Sequence, residues 1–166
     1  KNISELYPKA TVKNINSLSM VETVTKLGLN KQEKSLVVMP DTYFSNYKVV
    51  KEMRNKLNST NADVVLGLWK IRKDQKGKLG QCKIEKDYVK KIIDKNKKCQ
   101  EKYFWGLIMW SPVFNNYIDN KDKHFGVSLN RAILENLNIG YVFAEGQYFD
   151  CGTFEEYKFM LKNIKE

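Results

Sequence analysis

Two aspartates follow hydrophobic runs that have the character of buried strands. Asp41 ends the run 36–41, and Asp150 ends the run 148–150, which Cys151-Gly152-Thr153 follows at once. In an open α/β sheet the ligand groups lie beyond the carboxyl ends of the strands. Two carboxylates that converge there form a site for a divalent metal ion that holds phosphate oxygens. The pattern therefore predicts Asp41 and Asp150 as catalytic, metal-binding residues, with Mg²⁺ as the cofactor.

The charge of the chain comes mainly from lysine. The 166 residues carry a formal net charge of +10, and arginine is present only at Arg54, Arg72 and Arg131. Base readout and bidentate phosphate clamps favour arginine. A lysine-rich solvated surface is the first interpretation, a local phosphate-binding role the second, and nucleic acid the last, so nucleic acid is not an expected partner.

Cysteine and histidine offer no second chemistry. Cys82, Cys99 and Cys151 have no CxxC or Cys/His spacing, and His124, the only histidine, lies in a polar stretch that predicts a solvated loop. A structural zinc site and a histidine-based triad are both poorly supported. No apolar run approaches the roughly 18 residues of a membrane helix, and the start of the chain has no signal-peptide core. We expect a soluble, cytoplasmic protein with reduced thiols and no membrane partner.

The hydrophobic periodicity predicts one α/β domain over residues 1–166. Helix starts are marked by the capping-box pairs Ser19/Glu22 and Thr153/Glu156. Helices are predicted from Ser19 to Gly28, from Ser45 through Leu57, after Ser111-Pro112, over 127–137 and from Thr153 onward, the last with the apolar face Phe154, Tyr157, Met160, Leu161 and Ile164. Strands are predicted over 36–41, 63–69, 103–110, 141–143 and 148–150, with a hairpin formed by 79–85 and 88–94.

Taken in order, several segments resemble the sugar-1-phosphate nucleotidyltransferases, and the glucose-1-phosphate thymidylyltransferase-like group in particular. The resemblance extends from about Ser17 to the C-terminus, and its most specific motif is the last one. The segments that carry it are Val37-Val38-Met39-Pro40-Asp41-Thr42-Tyr43-Phe44, Asp63-Val64-Val65-Leu66-Gly67-Leu68, Trp105-Gly106-Leu107-Ile108-Met109-Trp110-Ser111-Pro112 and Tyr148-Phe149-Asp150-Cys151-Gly152-Thr153 with Glu155-Glu156-Tyr157.

The resemblance implies a Rossmann-like (GT-A-like) three-layer α/β/α fold with a mixed sheet. It implies an enzyme that transfers a nucleotidyl group from a nucleoside triphosphate to a sugar 1-phosphate and releases pyrophosphate, in nucleotide-sugar biosynthesis. By similarity, Asp41 and Asp150 are the metal-binding carboxylates.

The other site residues are also implied by the resemblance. Gly80 matches the glycine that lets the sugar approach the backbone, and Gly106 is a further substrate-binding position. Asp94 and Lys95 fall where the family has Glu-Lys-Pro, with the acid on sugar hydroxyls and the lysine on the sugar phosphate. Ser19 falls near a glycine that packs by the nucleotide base.

The family's glycine-rich run Gly-Gly-x-Gly-Thr-Arg and its Pro-Lys-Pro segment are not found in this sequence. That run cradles the triphosphate with backbone donors and a helix N-terminus. We therefore expect the chain to be a nucleotidyltransferase without its N-terminal part, inactive by itself, with an oligomer or a complementing N-terminal segment as a partner.

Three alternatives stay open. The first is a non-catalytic module that binds a sugar phosphate or a nucleotide sugar, or regulates another subunit. The second is a glycosyltransferase of related architecture, which ranks lower because Asp41-Thr42-Tyr43 has one aspartate where such enzymes carry Asp-x-Asp. The third is nucleic-acid binding with a steep salt dependence. The residues identify neither the nucleobase nor the sugar.

Overall fold

The computed structural model describes residues 6–29 and 33–164 of the chain. Two short 3₁₀ helices, Lys73–Gln75 and Pro112–Tyr117, accompany the main elements. In chain order these are α1 (Met20–Leu27), β1 (Ser35–Val37), β2 (Thr42–Phe44), α2 (Lys48–Ser59), β3 (Val64–Lys70), β4 (Gln81–Glu85), β5 (Tyr88–Ile93), β6 (Tyr103–Trp110), α3 (Phe125–Leu134), β7 (Ile139–Phe143), β8 (Tyr148–Asp150) and α4 (Phe154–Asn163).

Six of the strands form one mixed sheet in the order β1-β6-β3-β7-β5-β4. β3 and β7 are parallel, whereas β6 runs antiparallel to both β1 and β3. β4 also pairs with the start of β6, so the hairpin of β4 and β5 bridges the two sides of the sheet centre. β2 and β8 form a separate antiparallel ribbon in which Thr42 lies opposite Asp150.

Helices cover both faces of the sheet, because the central strands are apolar on both sides. In β3, Val64, Leu66 and Leu68 face a core that includes residues of α1 and α3. The alternate residues Val65 and Trp69 face a second core that includes α2. The predicted three-layer α/β/α architecture with a mixed sheet is therefore confirmed.

The helix starts at Ser19 and Thr153 are confirmed in their geometry. The Ser19 hydroxyl accepts a hydrogen bond from the Glu22 backbone N–H at 3.1 Å, and the Thr153 hydroxyl accepts one from the Glu156 N–H at 3.2 Å. Gly28 ends α1 with a φ of 75°, the left-handed conformation that suits glycine at this position. The Glu22 carboxylate, however, accepts from the Leu18 N–H and does not complete the predicted capping box.

The prediction of a strand over 36–41 was wrong at its end. β1 stops at Val37, and Asp41 lies in a turn just before β2. Two features keep the pairing from reaching Asp41. Pro40 has no N–H to donate, and in the register of β1 Asp41 would lie opposite Phe104, which pairs with β4. The two candidate aspartates therefore meet at the end of the small ribbon and not at the edge of the main sheet.

The last two helices also differ from the prediction. α3 begins at Phe125 and ends at Leu134, so that Leu137 lies beyond it. Of the apolar face predicted for α4, only Met160 is buried, and Phe154 and Leu161 are 65% and 55% exposed. An amphipathic pattern needs a partner surface, and α4 follows a two-stranded ribbon that offers little of one. Within the described residues no helix is long and apolar enough to cross a membrane.

Candidate active site

A backbone hydrogen bond joins Asp41 to Cys151, the residue that follows Asp150. The Cys151 N–H donates to the Asp41 carbonyl oxygen at 2.7 Å, and the Gly152 N–H donates to Asp150 Oδ1 at 3.2 Å. A Cβ atom built on Gly152 would lie 3.3 Å from Asp150 Oδ1 and 3.4 Å from Asp41 Oδ2. Both carboxylates therefore border the same small space, which the absence of a side chain at Gly152 keeps open.

The electrostatics of this space oppose two bare carboxylates. Burial raises the pKa of Asp150, and the nearby charges of Glu156 and Asp41 raise it further. The Gly152 N–H and the Lys95 ammonium act in the opposite direction but do not cancel the increase. Two acids that share a desolvated space favour a proton or a cation between them.

The donor set fits Mg²⁺. Among residues 6–29 and 33–164, no three or more His, Cys, Asp or Glu side chains form a group that could hold a metal ion. Mg²⁺ takes one or two carboxylates from a protein and fills its other positions with water and substrate phosphate oxygens. A pair of aspartates is therefore enough for a cation that arrives with phosphate, whereas a closed structural metal site would need more ligands.

Asp94 and Lys95 lie in the segment that follows β5. Asp94 Oδ2 is 3.4 Å from Nε2 of His124, and the two side chains are 36% and 35% exposed. His124 is therefore half-buried beside an acid at the start of α3, where the sequence predicted a solvated loop. Lys95 has a φ of 43° and is close enough to Asp150 to influence its ionisation. Lys95 is therefore one of the cationic side chains around Asp150, and its charge lowers the pKa of that carboxyl.

Gly80 and Gly106 both accommodate aromatic rings. A Cβ on Gly80 would lie 2.6 Å from Nε1 of Trp105, and one on Gly106 would lie 2.3 Å from Cε2 of Tyr148. Gly106 is buried beneath Tyr148, so that contact between Gly106 and a sugar would require this ring to move. The substrate-binding roles of the two glycines stay predictions.

Ser19 lies on α1. Its hydroxyl caps the helix and also donates to the Asp122 carbonyl oxygen at 3.0 Å. The bond to Asp122 joins the start of α1 to the segment that precedes α3. A role of Ser19 in nucleotide binding stays a prediction, and it would have to coexist with these bonds.

Several residues near the carboxylate pair were missed by the sequence analysis. Tyr148 is buried, with 7% of its surface exposed, and its hydroxyl lies 3.4 Å from Thr42 Oγ1. Burial raises the pKa of Tyr148 to about 12. A cleft of about 300 Å³ next to Asp150 is lined by Arg72, Lys78, Leu79, Phe149, Glu156 and Phe159, among others. Arg72 carried one available signal, since it is one of three arginines and follows a buried strand.

Comparison with known proteins finds structural neighbours without sequence relatives. No protein-family model and no curated protein sequence matches the chain. A putative glucose-1-phosphate thymidylyltransferase from Bacillus anthracis, solved with sucrose, superposes with a TM-score of 0.69 at 17% identity over 94% of this chain and 66% of its own. A UDP-glucose pyrophosphorylase in complex with UDP-glucose gives 0.70 at 15% identity over 89% and 62%. The UTP-bound enzyme from Acinetobacter baumannii gives 0.69 at 15% identity over 93% and 60%.

These matches concern architecture. The chain spans about 60–66% of the length of these neighbours, one of which is named as a thymidylyltransferase and the other two as UDP-glucose pyrophosphorylases. At such identities the likeness describes the fold and not the activity. The described residues therefore have the Rossmann-like fold of nucleotidyltransferases, with the Asp41–Asp150 pair at the end of its β2–β8 ribbon.

Proposed function

We propose that the chain carries the cation- and sugar-phosphate-binding part of a Mg²⁺-dependent sugar-1-phosphate nucleotidyltransferase, which makes nucleotide sugars in the cytoplasm. The observation that carries the proposal is the convergence of Asp41 and Asp150 on the space beside Gly152. The structural neighbours support the reaction class, because their names describe nucleotidyl transfer to sugar phosphates. The three free cysteines are compatible with a reducing compartment.

The carboxylate pair suits phosphoryl chemistry for an electrostatic reason. Two unit negative charges about 4 Å apart repel each other by roughly 4 kcal/mol at an effective dielectric constant of 20. Mg²⁺ bound between them reverses the sign of this interaction and stabilises negative charge on the phosphate oxygens. The raised pKa of Asp150 comes mainly from burial, and repulsion from Glu156 and Asp41 adds to it.

The acceptor phosphate needs a cation of its own. A sugar 1-phosphate is already a nucleophile near neutral pH, so the protein has to bring anions together and needs no general base. Lys95 provides a point charge near Asp150, and Asp94 beside it can accept hydrogen bonds from sugar hydroxyls. His124 holds the other side of Asp94, which would orient that carboxylate.

The first experiment measures cation binding. Mn²⁺ serves as a spectroscopic substitute for Mg²⁺, and its dissociation constant is measured by electron paramagnetic resonance for the wild type, Asp41→Asn and Asp150→Asn. We expect each substitution to weaken binding by at least tenfold, while Asp87→Asn on the exposed turn between β4 and β5 has no effect. Equal affinity in all four proteins would refute the proposed site.

The second experiment concerns the ligand. Because the sequence has no Gly-Gly-x-Gly-Thr-Arg run, we expect the chain by itself to bind without turnover. Glucose 1-phosphate and UDP-glucose are titrated calorimetrically with and without Mg²⁺. Tighter binding with Mg²⁺, and its loss in Lys95→Ala, would support the proposal. Release of pyrophosphate from a nucleoside triphosphate and a sugar 1-phosphate would contradict the expected inactivity.

A second candidate is a non-catalytic sugar-phosphate- or nucleotide-sugar-binding module. It is favoured by the absence of a Gly-Gly-x-Gly-Thr-Arg run from this sequence. The two candidates differ in their need for a cation. Binding of UDP-glucose that is unchanged by EDTA and by Asp150→Asn would favour the module, since a catalytic site holds the phosphates through the metal ion.

A further inference from the structure

The outer edge of β8 is held by side chains and not by another strand. Among the described residues β8 pairs with β2 alone, over three residue pairs. A two-stranded ribbon of this length is marginal without further support. We propose that Arg72 is the positioning residue that fixes β8, and with it the Asp150 carboxylate, for cation binding. This inference rests on the proposed function.

The Arg72 side chain contacts both the backbone of β8 and an aromatic ring of that strand. Its Nη1 donates to the Tyr148 carbonyl oxygen at 2.7 Å, and Nε2 of Gln75 donates to the same oxygen at 3.3 Å. The guanidinium also lies 4.9 Å from the centroid of the Phe149 ring. These are the two residues that precede Asp150, and Arg72 lines the same cleft as Asp150. The outer edge of the strand is therefore tied to the segment after β3.

The guanidinium is itself held in one orientation. Nε and Nη2 of Arg72 donate to the two carboxylate oxygens of Asp74 at 3.2 and 3.1 Å. The Arg72 N–H donates to Oε1 of Gln75 at 3.0 Å, which orients the second donor to Tyr148. Only the planar fork of arginine can bind Asp74 with one edge and a carbonyl with another, so a lysine cannot reproduce this arrangement.

Cation binding depends on the position of β8, because this strand carries the Asp150 carboxylate. A binding site has to hold its ligands within about 0.5 Å of the required geometry. Asp150 is the last residue of a three-residue strand, so any shift of β8 moves its carboxylate relative to Asp41. Groups that orient metal ligands from behind typically change metal affinity by about 10- to 100-fold when they are removed.

The test compares two arginines that make the same kinds of bond. Nη1 of Arg131 also donates to a backbone carbonyl oxygen, that of Tyr117, at 2.6 Å. Arg131 pairs with a carboxylate as well, that of Asp122. Mn²⁺ dissociation constants are measured by electron paramagnetic resonance for the wild type, Arg72→Ala, Arg72→Lys, Arg131→Lys and Asp150→Asn, with Tm recorded for each.

We expect Arg72→Ala to weaken Mn²⁺ binding by about tenfold. Arg72→Lys should weaken it several-fold, and Arg131→Lys should leave it unchanged even where it lowers Tm more. If Arg72→Ala does not fold, the Mn²⁺ dissociation constants of Arg72→Lys and Arg131→Lys are compared instead. Wild-type binding that Asp150→Asn abolishes but both Arg72 variants retain would overturn this inference alone. Failure of the wild type to bind Mn²⁺ would overturn the proposed function together with it.

Discussion

The Cys151 N–H and the Asp41 carbonyl oxygen form a 2.7 Å hydrogen bond that joins the ends of β2 and β8. Thr42 lies opposite Asp150 one step further along the ribbon. Residues far apart in the chain therefore bring two carboxylates to one place through backbone pairing. The site depends on this ribbon more than on the main sheet, and its properties can be tested through the residues that shape the ribbon.

Gly152 should be sensitive to a single added methyl group. In Gly152→Ala the new Cβ would lie 3.3 and 3.4 Å from oxygens of Asp150 and Asp41, where it would crowd a cation bound between them. We expect Mn²⁺ affinity to fall severalfold with little change in Tm, because Gly152 is exposed. Asp87→Asn, on the exposed turn between β4 and β5, is the control. Unchanged Mn²⁺ affinity in Gly152→Ala would mean that the cation does not occupy this space.

Asp150→Asn should stabilise the protein in the absence of metal. Burial, with Glu156 and Asp41, raises the folded-state pKa of Asp150, so the ionised carboxylate is disfavoured in the folded protein relative to the unfolded chain. The penalty is present at neutral pH and disappears as the pH falls through the raised pKa. We therefore expect a higher Tm for Asp150→Asn than for the wild type in EDTA at pH 7.

The same comparison at lower pH provides the check. Once Asp150 is protonated in the wild type, the two proteins should have similar Tm values, since both then carry a neutral side chain. Adding Mn²⁺ at pH 7 should raise the Tm of the wild type only. A lower Tm for Asp150→Asn in EDTA at pH 7 would contradict the prediction, because it would show that the ionised Asp150 carboxylate stabilises the metal-free folded protein.

The order of the elements and their caps could be predicted from the sequence, because these features are local. Ser19 and Thr153 cap their helices through bonds to residues three positions later. The run 103–110 is apolar enough to be a central strand, and β6 occupies it. The predicted meeting of Asp41 and Asp150 relied on a resemblance to known enzymes, and the structure brings their carboxylates together.

Other features could not be predicted, because they depend on pairing between distant segments. β1 does not extend to Asp41, because Phe104 of β6, which would lie opposite Asp41, pairs with β4. The function of Arg72 depends on a backbone carbonyl at Tyr148, an acceptor that every residue carries and that no sequence pattern marks. The apolar face of α4 has a helical period, but period alone does not show whether a partner surface exists.

Asp122 should contribute to stability at neutral pH and lose this contribution in acid. Burial opposes its ionisation, but hydrogen bonds from Arg131 and Ser128 outweigh that effect and hold its pKa below the ordinary value. The stabilisation is therefore full above the unfolded-state pKa of about 3.9 and is lost as the pH falls through the lower folded-state value. We expect Asp122→Ala to lower the free energy of unfolding by about 1.5 kcal/mol at pH 7, because it removes charge-assisted hydrogen bonds to Ser128 and to Arg131, which is 37% exposed.

The exposed pair Lys83–Glu85 is the matched control for Asp122. Its side chains are 51% and 53% exposed, whereas that of Asp122 is 7% exposed. Glu85→Ala should leave the free energy of unfolding nearly unchanged, because solvent screens an exposed ion pair. Urea denaturation at pH 7 and at pH 3 measures both variants. An equal effect of the two substitutions at pH 7 would contradict the structural role assigned to Asp122.

Gly106→Ala should disturb β8 from its buried side. The added Cβ would lie 2.3 Å from the Tyr148 ring and 3.0 Å from the Trp69 ring, and the Tyr148 ring is already packed against Phe104 with centroids 4.8 Å apart. Overpacking of this kind costs about 1–3 kcal/mol of stability. Since Tyr148 begins β8, we also expect weaker Mn²⁺ binding.

A double-mutant cycle with Tyr148→Leu separates the clash from other effects, because a smaller side chain at position 148 leaves room for the methyl group. The two substitutions should then be less destabilising together than the sum of each alone. Additive effects on the free energy of unfolding would show that the cost of the methyl group arises elsewhere than at the Tyr148 ring, such as at the Trp69 ring.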